Sequence, residues 1–546
     1  MSSSQAGAAA YVLGNLALVA SLSAVRRWLT SGSAASLDVE QEVTVSAPGK
    51  ALIAGGYLVL EAPNVGVTIS STSRFFTSVK VLPQAKAPMI ENSIVSILVD
   101  SPQFRTSFEY KYDSSKDLLV QKGEHGNEFV EKCLSLTLAF IKQWYGEAKF
   151  HAMLYSVSSI GQLGLKLRAD NDFYSQIKEL EKLNQPLLSS SLSALPKFLP
   201  CPLNPVTGKM EVAKTGMGSS AALTTSLVAA LLQFFGVIRL GHRKADEDRR
   251  VVHNLSQLAH AVAQGKIGSG FDVAAAVYGS QVYQRFRAEP FAACMAPNAP
   301  AAVIYEAILS REKWSQSIRP LDLPPGLDLI MGDVCGGSSS ASMAREVLRW
   351  RAEQPAEAAA LWGELAALNL RVSALLDQLC TLSRSQASTY SSMVAWASSH
   401  TTQEWSAYAS TKTIPHWVEP LLMLLDLKAV FAQCRKLLKR MGDCAGVGIE
   451  PDSQTALVDA TEAVLGVVAA GVPGAGGVDA VFAITLSEVS RGQVELLWAD
   501  WGAAASKGKG KGKEQQQLQQ TRVCPLLLRA DVGALAGVRT EKLAYA

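Results

Sequence analysis

Apolar positions early in the chain come in short blocks. "VTVSAPGKALIAGGYLVLE" (43–61) reads as a strand, a Pro-Gly turn and a second, well-buried strand. "VGVTISSTSRFFTSVKVL" (65–82) continues the β-rich pattern. The period then changes. In "FVEKCLSLTLAFIKQWYG" apolar residues recur every three to four positions, which predicts a helix ending at Gly146. Residues 187–212 are rich in serine and proline and read as a loop. An apolar helix is expected after Ser220, an amphipathic one from Asp246 to Gln264, and a short strand at "GSQVYQRF".

The pattern shifts again between Pro320 and Pro325. "GLDLIMGDV" (326–334) predicts a buried strand. Residues 341–400 read as mostly helical, with "LWGELAALNLRVSALLDQL" the clearest amphipathic piece, and 420–441 as a further helix. "VDAVFAITL" (478–486), "QVELLWADW" (493–501) and "VCPLLLRADV" (523–532) are expected as strands. The low-complexity run "SKGKGKGKEQQQLQQT" (506–521) then reads as a disordered, solubilising loop inserted between two of them. No internal repeat is visible. The expectation is an α+β chain: a leader at 1–40, an N-terminal domain at 41–320 and a C-terminal domain at 321–546. A cleft between such halves suits a small molecule.

A chain of 546 residues with 48% apolar content can bury more than one large core. A net charge of +3, with no basic stripe carrying aromatics, gives no reason to expect nucleic acid. The eight cysteines are scattered, with no CxxC and no zinc spacing, which points to free thiols in a reducing compartment. The leader carries a small apolar run at 8–25 followed by Arg26 and Arg27, and no acid precedes Asp38. It fits a dispensable extension, an organelle-targeting peptide or a weak membrane anchor. No later stretch reads as a membrane span, so no other membrane insertion is expected.

The chemistry concentrates at "KTGMGSSAAL" (214–223). Gly216 and Gly218 permit turns that expose consecutive amides. Ser219 or Ser220 can cap the following helix, whose start adds free N–H donors and partial positive charge. Together these make an anion site, to which Lys214 adds a mobile charge. The same residues also suit a capped glycine turn with no ligand. The loop is not a Walker A sequence: GxxxxGK[ST] occurs nowhere, and the protein-kinase signatures are missing. Two more glycine stretches stand out. "GKIGSGFDVAAAVYGS" sets Asp272 after a glycine turn, and "AAGVPGAGGVDAVFAITL" sets Gly474, Gly476 and Gly477 before a strand.

Taken together, "SAPGKALIAGGYLVLE", "KTGMGSSAALTT" and "GVPGAGGVDAVFAITL" resemble the three motifs of the GHMP kinase family. The likeness extends through "LRADNDFYS", "MGDVCGGSSSASM" and "GIEPDSQTALVDAT", and so covers nearly all the chain beyond the leader. It is strongest to the eukaryotic branch that phosphorylates 5-phosphomevalonate. The resemblance implies two α+β lobes with the active site in the cleft between them, and use of ATP and Mg²⁺. It implies that Gly216, Met217, Gly218, Ser219, Ser220 and Ala221 wrap the ATP phosphates with Lys214 nearby, and that Ser220 reaches Mg²⁺. Asp272 is implied as the catalytic aspartate. Lys50 is implied to pair with it and with the reacting phosphate. Gly474, Ala475, Gly476 and Gly477 are expected to line the substrate side, with Arg168 and Ser338 as substrate contacts and Asp170, Asn171 and Ser339 as weaker candidates. His253 and His260 share a helix face and are expected to be structural. Gly56 and Tyr57 stand where mevalonate-phosphorylating relatives carry a Glu-His pair, which argues against mevalonate itself. The implied location is cytoplasmic or peroxisomal.

Overall fold

The structure is a computed structural model. It describes residues 42–83, 93–123, 126–204, 207–208, 210–241, 245–296, 299–334, 340–410, 417–505, 522–531, 533 and 536–542. The leader and the Lys/Gly/Gln run at 506–521 lie outside the described residues.

The first sheet is built from β1 (Glu42–Ala54), β2 (Val65–Pro83), β3 (Ile94–Ser101), β4 (Thr106–Asp113), β5 (Leu118–Lys122), β6 (Gly161–Ala169), β7 (Gln281–Gln284) and β8 (Ser317–Pro320). The second contains β9 (Asp328–Asp333), β10 (Val467–Gly471), β11 (Ala480–Thr485) and β12 (Cys524–Pro525). A last strand, β13 (Arg539–Glu541), pairs with β1 and returns the chain to the first sheet. The order is β13-β1-β2-β6-β3-β4-β5, with β7 joining β2 to β8, and β10-β11-β9-β12 in the second sheet. Among the described residues, only β3 and β6 run parallel. The crossing from β8 to β9 falls at the composition change near Pro320, but the return of β13 means that a single cut there does not separate the sheets.

Helices fill one side of the first sheet: α1 (Glu128–Tyr145), α2 (Ser219–Phe234), α3 (Ala245–Gln264) and α4 (Phe271–Tyr278). Asn127 caps α1 by accepting from the amides of Phe129 and Val130, and Gly146 ends it. α2 is apolar around nearly its whole circumference and is correspondingly buried against β1 and β2. α3 packs on α1 and α2, and α4 packs on α3 and β1. Beyond β9 lie α5 (Pro355–Ser385), α6 (Val418–Ala445) and α7 (Glu488–Ala505). By length and composition α5 could cross a membrane. Here its Leu365, Val372, Leu376 and Leu379 are buried, and α5 packs along α6. The seven described cysteines are free, as expected.

Three sequence expectations need correction. The Pro-Gly pair does not turn the chain. β1 runs straight through it, and the register against β2 shifts between Pro48 and Lys50. "QVELLWADW" is not a strand but the middle of α7. Its buried Val494 and Trp498 are one helical turn apart, while Leu496 is 57% exposed. The 506–521 run therefore follows a helix. Only Cys524 and Pro525 of "VCPLLLRADV" form a strand. The rest threads between the sheets: Leu526 donates to the Met331 carbonyl, and Asp531 donates to the Ser70 carbonyl.

Candidate active site

The loop at 214–218 enters α2 through two left-handed glycines, Gly216 at φ 76° and Gly218 at φ 75°. A Cβ on Gly218 would also sit 3.0 Å from Cε of Lys50. Gly218 is itself the residue before the helix, with no side-chain cap. The expected serine cap is therefore absent: Ser219 and Ser220 are the first two helical residues. The amides of Gly216, Met217 and Gly218 donate to no acceptor among the described residues. Backbone N–H groups rarely stay unpaired without water or a ligand. Three of them in a row before a helix start form an anion cradle.

Lys50 is tied to this loop from the other side. At the β1 irregularity its amide donates to the Met217 carbonyl at 3.0 Å. Its Nζ donates to the Gly216 carbonyl at 2.7 Å and stands 5.6 Å from the centre of the Phe271 ring. Burial pushes the ammonium below the ordinary lysine value, and the charge of Asp272 pulls it back up. Lys50 and Asp272 face the same cavity and interact through their charges, with no direct ion pair between them among the described residues. The lysine is held by a carbonyl instead.

Asp272 sits in the first turn of α4, behind Gly270 at φ 86°. A side chain at Gly270 would meet the Tyr283 hydroxyl at 2.7 Å, so glycine is required on both counts. Asp272 Oδ2 lies 4.0 Å from Nε2 of His260, and the same nitrogen is 3.1 Å from Oγ of Ser220. His260 is buried behind the cavity wall and touches its Ser220. Burial lowers its pKa, with Asp272 acting in the opposite direction. His253, by contrast, packs between Tyr278 and Trp314 and bonds Asn254, a structural role.

The second lobe closes the cavity with the loop before β11. Gly474 donates to the Leu52 carbonyl at 2.9 Å, and Gly477 to the Ile449 carbonyl at 2.8 Å. The Tyr57 hydroxyl donates to the Ala475 carbonyl at 2.6 Å. Gly56 lies so close that a Cβ there would be 2.6 Å from the Gly474 carbonyl oxygen. The Gly56-Tyr57 pair therefore joins the lobes.

The cavity is an open cleft of about 360 Å³. It brings together Lys50, Lys214, Gly216, Met217, Gly218, Ser219, Ser220 and Asp272 with Gly474, Ala475 and Gly476. A smaller aromatic cavity adjoins it across Lys214, Ser219 and Ser220, walled by Phe104, Phe108, Phe129 and Tyr174. Ala221 is buried behind the loop, and Gly477 points to Ile449 rather than the lining. Arg168 is outside both cavities. It stands on β6, donates to Ser78 at 3.2 Å and lies over Phe198. Asp170 accepts from the Arg74 amide, and Asn171 bonds the backbone of Pro196 and Leu199, so both shape a turn. Ser338 and Ser339 lie outside the described residues. Sequence reasoning passed over Asp479, Ser269 and Phe271, which line the cavity, and treated His260 as packing. Their adjacency to glycines in the quoted motifs was the available signal for the first three.

Residues 199–280 match the GHMP kinases N terminal domain. The peroxisomal phosphomevalonate kinase of Arabidopsis thaliana is 37% identical over 82% of this chain and 90% of its own. Phosphomevalonate kinase ERG8 of Gibberella zeae is 30% identical over 92% and 97%. Among solved structures, a Lin0012 protein from Listeria innocua superposes with a TM-score of 0.58 at 15% identity, covering 92% of this chain and 99% of that one. Streptococcus pneumoniae phosphomevalonate kinase, solved with phosphomevalonate and AMPPNP, gives 0.50 at 15% identity, covering 84% and 96%. The structural likenesses establish the two-lobe GHMP kinase fold. With the sequence relationships over nearly full length, they make the chain a member of the phosphomevalonate kinase family.

Proposed function

We propose that this chain transfers the γ-phosphoryl group of ATP to the phosphate of 5-phosphomevalonate, giving 5-diphosphomevalonate and ADP. One observation carries the reading. The three free amides, the half-buried Lys50 and Asp272 converge on a single cavity between the lobes. Phosphoryl transfer needs alignment and charge neutralisation more than covalent chemistry, and this set supplies both.

The amides of Gly216, Met217 and Gly218 and the start of α2 hold the ATP phosphates. The adjoining aromatic cavity offers the base a stacking surface. Lys50, fixed by the Gly216 carbonyl, offsets the repulsion between two phosphate groups. Asp272 positions the acceptor. A phosphate oxygen is already anionic near neutral pH, so a strong general base is not required. Lys214, exposed at the junction of both cavities, adds a mobile cation. Among the described residues there is no group of three metal-ligating side chains. That fits Mg²⁺, which usually keeps its waters and leans on substrate phosphates plus one or two protein oxygens. Ser220, which lines the cavity, is its proposed protein ligand. When bound, Mg²⁺ neutralises charge on the phosphates. The peroxisomal Arabidopsis relative supports a peroxisomal over a cytoplasmic location.

The test is ADP release by the full chain with Mg²⁺ and ATP, run in parallel on 5-phosphomevalonate, mevalonate and 5-diphosphomevalonate. Release is expected with 5-phosphomevalonate alone, and Asp272→Ala should lower it about 10²- to 10⁴-fold. Equal release with mevalonate, or an unaffected mutant, would overturn the reading.

A further inference from the structure

We infer that His260 is a positioning residue that turns the Ser220 hydroxyl, sending its hydrogen inward and both oxygen lone pairs toward the cavity. The inference rests on the metal reading given above. His260 Nε2 has two polar neighbours within hydrogen-bond distance: Ser220 Oγ at 3.1 Å and Gln264 Nε2 at 3.1 Å. An amide nitrogen can only donate. With the Gln264 amide in this orientation, we assign Nε2 as the acceptor, its one lone pair shared between the two neighbours, and place the ring proton on Nδ1. Ser220 has one hydrogen, and the only way it can bond this nitrogen is to give that hydrogen up to it.

The consequence is chemical. A serine at the front of a phosphate loop can do one of two things. With its hydrogen outward it donates to a phosphate oxygen. With its lone pairs outward it ligates a cation. His260 selects the second state. Its geometry allows little else: the ring is 4% exposed and the Phe129 ring stands 5.6 Å away, centre to centre. Gln264 lies one helical turn along α3, so a single helix face carries both the imidazole and the group that sets its tautomer. Asp272 Oδ2, at 4.0 Å, is too far to accept from this nitrogen. α3 thus links the phosphate loop on α2 to the aspartate on α4.

The test is calorimetric binding of ADP to the full chain, in Mg²⁺ and in EDTA. The readout is the ratio of the two affinities, which a merely structural role would not change selectively. His260→Leu is expected to cut the Mg²⁺-dependent gain about 10- to 100-fold, the usual effect of losing a group that orients a metal ligand, and to leave the EDTA affinity unchanged. His260→Gln, whose carbonyl can take the serine hydrogen, should restore most of the gain. Equal loss in Mg²⁺ and EDTA, or an intact gain in a folded His260→Leu protein, overturns the inference. If His260→Leu does not fold, Gln264→Leu carries the test from an exposed position. A reduced gain supports the inference and an unchanged gain overturns it. A wild-type chain with no Mg²⁺-dependent gain would instead overturn the metal reading itself.

Discussion

The two glycine loops that face each other across the cavity look alike in sequence and differ in what their backbones do. In the loop before α2, the amides of Gly216, Met217 and Gly218 have no acceptor among the described residues. In the loop before β11, Gly474, Gly476 and Gly477 all donate within the protein, to Leu52, Pro473 and Ile449. Both loops use positive φ. One uses it to open donors toward a ligand, the other to let two lobes approach closely. Glycine content marks a place where backbone matters, and only the hydrogen-bond partners say whether the matter is binding or assembly.

The sharpest way to break this contrast is Lys50→Met. Lys50, on β1, is bonded to the open loop, and its loss should reduce kcat about 10²- to 10³-fold with little change in ATP affinity, read by steady-state kinetics and calorimetry. An equal fall in both would mean that the lysine only shapes the loop. Next come the paired glycines. Gly476→Ala forces an L-residue to φ 74° and drives a Cβ to 2.2 Å from the Ile449 carbonyl oxygen. Thermal unfolding should register a loss of about 3 kcal/mol, with nucleotide affinity of the folded fraction retained. Gly218→Ala also takes an L-residue to positive φ, but its Cβ meets only the Lys50 side chain, with Cε at 3.0 Å and Cγ at 3.4 Å, and no backbone. It should weaken nucleotide binding more than it lowers Tm. If the two mutants behave alike, the distinction fails.

Acid should separate the two sides as well. Burial holds the imidazole of His253, on the first-lobe helix α3, down at about 4 against an ordinary 6.5. The unfolded chain therefore takes up a proton first. The stability this neutral histidine contributes is complete above pH 6.5 and is lost as the pH falls toward 4, on the order of 3 kcal/mol. His253→Gln should flatten the Tm profile across that window, and an unchanged slope would assign the acid sensitivity elsewhere. The smallest effect belongs to the closed loop. Tyr57→Phe removes one hydrogen bond to the Ala475 carbonyl and should lower stability by about 1 kcal/mol, measured by denaturant unfolding.

The sequence was most legible where one residue type has one use. The α2 run is apolar on all sides, and only a buried helix accommodates that. Asp272 and the flanking glycines could be placed because their order along the chain is itself the signal. Three things were hidden, each for a physical reason. Pro48-Gly49 reads as a turn, yet the strand continues because the Lys50 amide has an acceptor waiting in Met217. The helical period of 493–501 is masked by apolar residues on its exposed side, Leu496 above all. His260 shares a helix face with the structural His253, and only the docking of α2 and α4 on either side tells the two apart.

The return of β13 to the edge of β1 sets an order on synthesis. Residues 44–46 and 539–541 are partners separated by almost the whole chain, and Arg74, buried beneath them, bonds Asp531. At ordinary translation speeds the wait between making one and making the other is on the order of a minute. Throughout that interval the edge of the first sheet is open and a buried arginine lacks its counter-charge. An edge strand left unpaired is a template for pairing with another chain, so a chain ending before residue 539 would present that edge to its neighbours.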